Sequence, residues 1–362
     1  IEDLLNRKPI KIESEEVSSR HHGKSILITG GAGSIGSEIV RQVSQFNPEL
    51  IVILDQAETP LYEIENEMRE KYPHINFKFV LGDISNRHRI EPLFQKYQFS
   101  MVYHAAAYKH VPLIEENPHE AILVNILGSK NISTLASKYK VNRFVMISTD
   151  KAVKPTNVMG ASKRAAELFV QSLQNSEGNI TKFITTRFGN VLGSNGSVIP
   201  HFKRQIENGG PITITHPDIV RYFMTIPEAC ELVLHAGIMG KGGEIFVFDM
   251  GEPVKILDLA NRMIKLSGFE PEVDIKIIYT GLRPGEKLYE ELLSDDAKTL
   301  PTHNEKIMIS KDPTMEFAAI EKYTNHIIKA ALRGEKVEVV QILKNIVPEF
   351  KSNNSIYEIL DK

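Results

Sequence analysis

The sequence has little that would support disulfide bonding, thiolate metal sites or membrane insertion. It contains one cysteine, Cys230, among 362 residues, which excludes an internal disulfide and any cysteine-built metal site. Such scarcity of cysteine fits a reducing compartment. No apolar run approaches the roughly 18–20 residues that cross a bilayer, and no secretory signal is visible. A net charge of -3 gives no support to nucleic acid or an anionic membrane as the main partner.

The first 22 residues also lack a clear hydrophobic period. They are polar and mixed in charge, which predicts a linker or surface extension over 1–22. The pair His21–His22 lies in this stretch, and the other histidines show no ligand spacing, so no metal site is expected. Because the chain begins at Ile1 rather than Met, we expect it to be part of a longer protein whose membrane segments would lie upstream.

From Lys24 the sequence alternates short β-branched runs with longer amphipathic stretches. This alternation predicts an α/β fold of the Rossmann type, a doubly wound parallel sheet with helices on both faces. The predicted strands are Ser25–Thr29, Leu50–Leu54, Phe77–Leu81, Met101–His104, Phe144–Ser148 and Phe183–Arg187. The predicted helices are Ser34–Phe46, Pro60–Lys71, Arg87–Tyr97, Pro118–Tyr139 and Gly160–Leu173. In such sheets, ligands bind at the carboxyl ends of the strands.

A glycine-rich turn follows the first strand. Gly31, Gly33 and Gly36 match the spacing of a dinucleotide-binding loop, and Gly30 provides a second register. Glycine permits the tight turn and lets the backbone approach a pyrophosphate. The helix that follows presents free N–H groups to the phosphates. The candidate cofactor-binding residues of this turn are Gly30, Gly33, Ser34, Ile35 and Gly36.

Further cofactor-binding candidates follow the next strands. Asp55 ends the second strand, 19 residues after Gly36, where a carboxylate can accept hydrogen bonds from the adenosine ribose. It would repel a 2′-phosphate, which favours NAD over NADP. Asp83 and Ile84 are placed to reach the adenine, and small side chains after the fourth strand leave room for the cofactor. The remaining candidates are Ala105, Ala106, Ala107 and Asn125.

These observations divide the chain into four parts. Residues 23–190 form the predicted NAD-binding domain, to which a strand near 244–249 returns. After about residue 190 the alternation weakens and glycine and proline become frequent, so 191–300 is predicted to be a smaller substrate-binding lobe. Residues 301–362 are predicted to be a C-terminal helical segment, since 314–348 are helical in pattern.

The fifth strand ends in Ser148-Thr149-Asp150-Lys151, and Met159 and Lys163 follow on a helix. With the glycine turn, Gly82-Asp83-Ile84 and His104-Ala105-Ala106, this stretch resembles the extended short-chain dehydrogenase/reductase family. That family carries Tyr-x-x-x-Lys here. The tyrosine acts as acid and base, and the lysine, at the position of Lys163, holds the nicotinamide ribose. The tyrosine position is Met159, whose thioether cannot exchange a proton.

One subfamily tolerates this change: the polysaccharide-biosynthesis nucleotide-sugar dehydratases of the CapD/WbpM/PglF type, which the chain resembles over essentially its whole length. The matching stretches are Asp3-Leu4-Leu5-x-Arg7-x-Pro9, Tyr108-Lys109-His110-Val111-Pro112, the run from Arg187 to Ser194, and Arg283-Pro284-Gly285-Glu286-Lys287. The resemblance implies a UDP-N-acetylglucosamine 4,6-dehydratase that retains configuration at C5. It also implies a homo-oligomer, and a cytoplasmic catalytic domain tethered to the inner face of a bacterial membrane.

The reaction needs two adjacent proton-transfer groups, and Asp150 and Lys151 can supply them. We expect Asp150 to act as acid toward O6 and a neutral Lys151 to act as base at C5. Lysine is a useful base at neutral pH only if burial lowers its pKa by about 2–3 units. The O4 proton leaves through Asp150, Thr149 or water, and the sequence leaves these three routes open.

A UDP-sugar needs partners for two phosphates, a ribose and a sugar. Arginine's planar fork suits phosphate, while the resemblance implies diphosphate contact by Asn190 and a short strand beside the nucleoside. The substrate-binding candidates are Lys109, His110, Asn190, Lys203, Thr213, Thr215, Arg221, Arg283 and Glu286. Two alternatives remain: a nucleotide-sugar 4-epimerase or reductase of the same fold, and a non-catalytic NAD-sensing module.

Overall fold

The computed structural model describes residues 15–291 and 299–361. The motif Asp3–Pro9 and the rest of the first 14 residues of the predicted linker lie outside the described residues. Within the described ranges, no helix combines the length and the apolar character that a bilayer crossing requires.

Fifteen strands are described, ten of them before residue 225. In chain order they are β1 Ser25–Thr29, β2 Leu50–Asp55, β3 Asn76–Leu81, β4 Met101–His104, β5 Arg143–Thr149, β6 Lys182–Phe188, β7 Asn190–Val191, β8 Ile212–Ile214, β9 Val220–Arg221, β10 Phe223–Met224, β11 Ile245–Phe248, β12 Val254–Lys255, β13 Ile277–Tyr279, β14 Thr299–Pro301 and β15 Ile307–Ser310.

Thirteen α-helices are described along the same ranges. They are α1 Glu15–His21, α2 Ser34–Ser44, α3 Glu58–Lys71, α4 Arg87–Tyr97, α5 Val111–Glu116, α6 Pro118–Ala121, α7 Ser129–Lys138, α8 Val158–Leu173, α9 Val198–Glu207, α10 Ile226–Met239, α11 Ile256–Leu266, α12 Phe317–Arg333 and α13 Lys336–Ile346. A π-helical segment, Ile122–Gly128, joins α6 to α7, and 3-10 turns cover Asp150–Ala152 and Ile356–Leu360.

Nine strands form one sheet in the order β14-β15-β11-β6-β5-β4-β1-β2-β3. Neighbouring strands from β3 to β11 are parallel, while β15 and β14 add an antiparallel edge. The strand order reverses between β1 and β4, and an open α/β sheet binds its ligands in the crevice at such a point. The predicted doubly wound α/β fold is confirmed.

Alternation along the strands divides the apolar side chains between two cores. Leu27 and Val52 face one layer with α8, α12 and α13, while Ile26 and Ile51 face the other with α2 and α10. Period-two alternation in a strand sends successive side chains to opposite faces. Because both faces are covered by helices, the central strands are apolar throughout, as buried parallel strands are.

A third, separate core lies in the smaller lobe. It contains Leu192, Phe202 and Ile264, contributed by the segment after β7 and by the helices α9 and α11. Three two-stranded ladders border it, formed by β7 with β10, β8 with β13, and β9 with β12. This lobe stands beyond the carboxyl end of β6, since only Gly189 separates Phe188 of β6 from Asn190 of β7.

The two ends of the described chain differ from the sequence-based predictions. Residues 15–21 are helix α1 rather than an extension, because Val17 and His21 are buried. The His21 imidazole bonds the Tyr103 hydroxyl of β4 at 2.7 Å. At the other end, the segment 301–362 is not entirely helical, because β15 pairs with the otherwise open edge of β11 before α12 begins.

A buried ion pair ties α8 to the central strands. Arg187 of β6 donates to both carboxylate oxygens of Glu167, at 2.8 and 2.5 Å, and Arg164 and Ser148 add further hydrogen bonds. Burial opposes ionisation of Glu167, but the two arginines outweigh it and bring its pKa down to about 2. Arg187 also pairs with Asp312 beyond β15. One charged cluster thus joins β5, β6, α8 and the C-terminal segment.

Replacing Arg187 by Met removes the main partner of a fully buried carboxylate. Breaking one side of a buried pair costs about 3–5 kcal/mol, and urea unfolding measures the loss. The control is Arg69→Met, which removes the exposed pair with Glu65 and costs less than about 1 kcal/mol. Equal losses in the two variants would contradict the structural role of the buried pair.

The buried His21 makes stability depend on pH. Burial lowers its pKa to about 4 from an ordinary value of 6.5. Between these values the unfolded chain binds one more proton at this residue, so stability falls as pH falls from 6.5 to 4. Each such group contributes a slope of about 1.4 kcal/mol per pH unit. In His21→Gln, the slope of unfolding free energy against pH is smaller by this amount, however much stability the substitution itself removes.

The matched control for that slope is His22→Gln, because the His22 ring is exposed at the neighbouring position. Its slope between pH 4 and 6.5 gives the effect of the same substitution at an exposed position. A His21→Gln slope equal to that of the unchanged protein would mean that His21 does not titrate differently in the folded and unfolded states.

Candidate active site

The glycine turn between β1 and α2 packs directly against the end of β4. Gly30 has φ +64°, and a Cβ there would stand 2.6 Å from the Ala106 nitrogen. A Cβ at Gly36 would stand 2.0 Å from the Gly30 carbonyl oxygen. No residue other than glycine fits either position. The turn therefore brings backbone N–H groups to the carboxyl edge of the sheet, where they can face an anion.

A cleft of about 280 Å³ opens over this turn. It brings together most of the predicted cofactor-binding residues from β1, β2, β3 and β4. Of those candidates, its walls contain Gly30, Gly33, Asp55, Asp83, Ile84, Ala105, Ala106 and Ala107. The cleft crosses the point where strand order reverses, and its chemistry of backbone N–H groups, two carboxylates and small side chains fits a dinucleotide.

Both oxygens of the Asp55 carboxylate hold backbone in place. Oδ2 accepts from the Ala32 N–H at 3.0 Å and Oδ1 from the Ala57 N–H at 2.9 Å. A carboxylate has about four acceptor sites, so each oxygen retains one for a ribose hydroxyl. Asp83 likewise accepts from the Ser85 N–H at 2.8 Å. These bonds orient the two carboxylates before any ligand arrives.

Three other predicted cofactor residues lie beside the cleft. The Ser34 hydroxyl accepts from the backbone N–H of Asn195 at 3.1 Å, and Asn195 itself lines the cleft. Asn195 belongs to the smaller lobe and no sequence signal pointed to it. Ile35 and Gly36 belong to the first turn of α2, behind the glycine loop.

Asn125 differs in role from the predicted cofactor contact. Its amide is engaged by the protein: Oδ1 accepts from the Tyr108 N–H, and Nδ2 donates to the Tyr108 carbonyl and the Ser162 hydroxyl. It lies in the π-helical segment, a local widening that often marks functional sites. Asn125 thus holds the segment after β4 against α8, and both of its donors are used in doing so.

The proposed proton-transfer residues lie together at the end of β5. Asp150 Oδ1 accepts from the Thr149 hydroxyl at 2.8 Å and from Lys151 Nζ at 3.1 Å. Lys151 Nζ also donates to Asn190 Oδ1 at 3.3 Å. Asp150 Oδ2 is buried and accepts no hydrogen bond from the described residues. A buried oxygen without a partner is available to a ligand group.

The expectation of a neutral Lys151 is wrong for the free protein. Burial opposes the charged form, but the carboxylates of Asp150 and Glu290 outweigh it and raise the pKa of Lys151 above its ordinary value. The Glu290 carboxylate lies 3.7 Å from Lys151 Nζ. The prediction failed because it considered burial alone. The sequence does not show that a second carboxylate, that of Glu290 in the 282–290 loop, lies against the same ammonium.

Met159 and Lys163 occupy successive turns at the start of α8, and both are buried. Lys163 Nζ donates to the Ile147 carbonyl of β5 at 2.7 Å. Burial lowers the pKa of Lys163 to about 8, although Glu167 partly compensates. Met159, which is part of a hydrophobic core, stands at the position where the larger family has a tyrosine.

The substrate-binding candidates separate into two groups. Arg221, Glu286, Arg283 and Asn190 converge near Lys151: Arg221 lies 3.6 Å from Glu286, which lies 3.2 Å from Arg283. Arg221 also donates to the carbonyls of Val220 and Lys287. Lys203 does not join them, because its side chain is 72% exposed and pairs with Glu207 on the same helix.

The other candidates contact different neighbours. The His110 ring stands against Gly196, where a Cβ would meet it at 2.5 Å. Lys109, its neighbour, is exposed. Thr213 in β8 is held by Gln205 through its hydroxyl and its N–H, and Thr215 follows that strand, half-buried.

The C-terminal segment holds the 282–290 loop over the start of α8. The Asn353 carbonyl accepts from the Gly285 N–H at 2.7 Å, and the Asn353 side chain donates to the Glu286 carbonyl at 2.9 Å. Its own N–H donates to the Thr156 carbonyl at 3.1 Å. Sequence reasoning missed both Asn353 and Glu290, because neither stands in a motif and each acts through a partner distant in sequence.

Metal binding finds no support in the geometry. Among residues 15–291 and 299–361, no group of three or more His, Cys, Asp or Glu side chains could hold an ion. The buried His104 is engaged by Thr29 and Ser129 through its two ring nitrogens.

The chain is similar to known proteins in sequence and in fold. A family model described as polysaccharide biosynthesis protein matches residues 26–312. The capsular polysaccharide biosynthesis protein CapD of Staphylococcus aureus is 56% identical over 295 residues, which are 81% of this chain and 49% of CapD. The chain thus spans about half the length of that curated relative.

Two solved structures share the fold. The X-ray structure of Pen from Bacillus thuringiensis matches with a TM-score of 0.74 and 34% identity, over 85% of this chain and 98% of Pen. The UDP-glucose 4-epimerase of Thermus thermophilus, solved in complex with NAD, matches with a TM-score of 0.63 and 25% identity, over 75% and 90% of the two chains. The resemblance to CapD-type proteins is confirmed, and the chain belongs to the polysaccharide biosynthesis protein family.

Proposed function

We propose that this chain is an NAD-dependent UDP-N-acetylglucosamine 4,6-dehydratase that retains configuration at C5. The observation that carries the proposal is the pairing of Asp150 with Lys151 at the end of β5. This strand neighbours β4, whose following alanines line the dinucleotide cleft, and a methionine stands at the position of the family's tyrosine. The product is the 6-deoxy-4-keto sugar nucleotide, and water leaves. Such a product serves the synthesis of surface polysaccharides, in keeping with the family.

The cofactor is NAD, which supplies a hydride acceptor and donor in one site. The Asp55 carboxylate supports NAD over NADP, because a 2′-phosphate would meet a negative charge. The complex of the Thermus epimerase with NAD supports the same choice. Lys163, with a pKa near 8, would donate a hydrogen bond to the nicotinamide ribose.

The protons of the reaction can be followed from group to group. Oxidation at C4 releases the O4 proton, and elimination requires one proton on the departing O6 hydroxyl. A second proton leaves C5 and later returns there when C6 is reduced. One group can therefore protonate O6 while another removes and returns the C5 proton, and the O4 proton leaves by a separate route. Overall, the sugar loses one water and no electrons.

Asp150 and Lys151 fit these two roles through a single proton transfer. In the free protein they form an ion pair with 3.1 Å between Nζ and Oδ1. Moving one proton along this contact gives a neutral amine and a neutral carboxylic acid with unchanged total charge. A bound sugar that excludes water favours the neutral pair, since charges are poorly solvated in a dry site. Asp150 is then the acid at O6, and Lys151 is the base at C5.

The C5 stereochemistry follows from the single base. If Lys151 both removes and returns the C5 proton, the proton comes back to the face from which it left, and configuration is retained. Because Asp150 already holds the proton from Lys151, the O4 proton leaves to solvent through Thr149, whose hydroxyl contacts Asp150, or through water, and one solvent proton restores the Lys151 ammonium after the turnover. Met159 cannot take that role, because a thioether has no exchangeable proton.

A 4-epimerase is the second candidate, and the match to the Thermus enzyme favours it. An epimerase needs one acid/base group at O4 and none at C5 or O6. The Asp150–Lys151 pair provides two proton-transfer groups where an epimerase needs one. In addition, Met159 occupies the position of the tyrosine that would act on O4 in the larger family. The two candidates predict different product masses.

Incubation with UDP-N-acetylglucosamine tests the assignment. A dehydratase lowers the substrate mass by the mass of one water, whereas an epimerase leaves it unchanged, and mass spectrometry separates the two. Lys151→Met and Asp150→Asn each lower turnover by at least about 10²-fold, the usual contribution of a general acid or base. The control is Lys154→Met, because Lys154 is exposed and pairs only weakly with Glu291 at 4.0 Å. An unchanged substrate mass with the natural sequence would refute the dehydratase assignment.

Isotopes test the order of proton movements. In deuterated water the product carries solvent deuterium at C5, because the Lys151 amine carries exchangeable hydrogens from solvent, and none at C6, because the hydrogen added at C6 comes from C4. Substrate labelled with deuterium at C4 gives product labelled at C6, and NMR reports both positions together with the configuration at C5. Deuterium from solvent at C6, or inversion at C5, would contradict the roles given to Asp150 and Lys151.

A further inference from the structure

Side chains of alternating charge run from the end of β5 to the protein surface. Each member lies within 3.1 to 3.7 Å of the next. The side chain of the first member is 2% exposed and that of the last is 59% exposed. The order is Asp150, Lys151, Glu290, Arg221, Glu286 and Arg283.

Glu290 is the member that connects the inner half of this series to the outer half. Its Oε1 lies 3.7 Å from Lys151 Nζ and 3.6 Å from Arg221 Nε. The side chain is 4% exposed, and Oε2 is buried without a hydrogen-bond donor among the described residues. Burying a carboxylate costs free energy unless nearby charges compensate it. Here Lys151 and Arg221 supply the compensating charges for Glu290.

The two cations, Lys151 and Arg221, also depend on the Glu290 carboxylate. Lys151 Nζ faces Asp150 from β5, Asn190 from β7, Glu290 from the 282–290 loop and, further off, Arg221 from β9. Among these groups only Asp150 and Glu290 are negative. Without Glu290, Lys151 and Arg221 would repel each other across a desolvated gap with one carboxylate left beside the amine.

We propose that Glu290 is a further positioning residue of the active site: with Asp150 it holds the Lys151 ammonium between two carboxylates. The proposal rests on the proposed function for its consequence in catalysis, but the contact itself does not depend on which sugar binds. Glu290 acts through Lys151 and touches no reacting atom.

The role has a chemical purpose in the proton transfers described above. A second carboxylate keeps the proton on Lys151 until a bound sugar changes the surroundings, and it keeps Nζ within 3.1 Å of the Asp150 oxygen that receives the proton. It also connects the amine to Arg221, at the substrate lobe. The raised pKa of Lys151 agrees with this geometry.

Competitive labelling of lysines tests the proposal directly. An amine-specific acylating reagent reacts only with the neutral amine, so the labelling rate of Lys151 at about pH 9, read by peptide mass spectrometry, reports its protonation. Glu290→Gln keeps the shape and removes the charge. We expect Lys151 to label at least about tenfold faster in this variant, the equivalent of one pKa unit. In Glu290→Asp, which keeps the charge, the rate stays closer to that of the unchanged protein.

Two internal references and one matched variant control the measurement. Exposed Lys203 normalises the reagent, and buried Lys163 labels faster only if the chain unfolds. Glu291→Gln removes the neighbouring carboxylate, which pairs with Lys154 and Lys287 instead, and leaves the Lys151 rate unchanged. Equal Lys151 rates in Glu290→Gln and the unchanged protein, within about twofold, would overturn the proposal. If Glu290→Gln unfolds, Glu290→Asp decides it: the shorter side chain moves the carboxylate away from Lys151 Nζ, so Lys151 labels faster than in the unchanged protein but less than tenfold faster, and a rate equal to that of the unchanged protein would overturn the proposal.

The kinetic arm distinguishes this proposal from the proposed function. If the unchanged protein dehydrates the UDP-sugar, Glu290→Gln lowers kcat and shifts its pH profile toward lower pH, whereas Glu291→Gln does neither. An unchanged pH profile in Glu290→Gln counts against Glu290 while leaving the dehydratase intact. An inactive natural chain whose Lys151 labelling still responds to Glu290→Gln counts against the dehydratase and supports the contact.

Discussion

The site depends on a charged ammonium group, that of Lys151, in a largely buried position. Lys151 stands at the end of a central strand, and burial alone would drive off its proton. Asp150 and Glu290 prevent this, and Asn190 contributes an amide oxygen. The three partners come from β5, from the smaller lobe and from the loop before residue 291. The contacts of the charged amine therefore hold these three parts in one arrangement. A shift of any part changes the protonation equilibrium of Lys151.

The surrounding structure supports that arrangement from two directions. Below the strand ends, Arg187 and Glu167 join β6 to α8 through a bidentate buried pair, which keeps β5 and β6 in register beneath the site. Above them, Asn353 joins the 282–290 loop to the start of α8. The C-terminal segment is thus part of the active-site architecture, although it contributes no side chain to the cleft.

The sequence predicted the parts of the site that are built from local pattern. The glycine turn, Asp55, Asp83 and the alanines after β4 meet in one cleft because the carboxyl ends of parallel strands share an edge. Asp150 and Lys151 could be recognised because they directly follow the predicted fifth strand. Lys163 could be recognised by its position on the helix that comes next. The same reasoning misplaced Asn125, whose amide bonds protein groups, and Lys203, which points to solvent. Helical position shows which face a residue occupies, but it does not show which neighbour arrives there.

By itself, the sequence determined the strand and helix alternation, the dinucleotide-binding turn and the exchange of a phenol for a thioether at Met159. These follow from period, spacing and residue type, which are local properties. Only the tertiary structure decided that α1 is anchored through His21 to Tyr103, and that Glu290 lies against an amine 139 positions earlier. Electrostatic effects on a buried group depend on every charge within a few ångströms, and residues far apart in sequence supply most of those charges. The charge of Lys151 was therefore a property of the fold, not of its own segment.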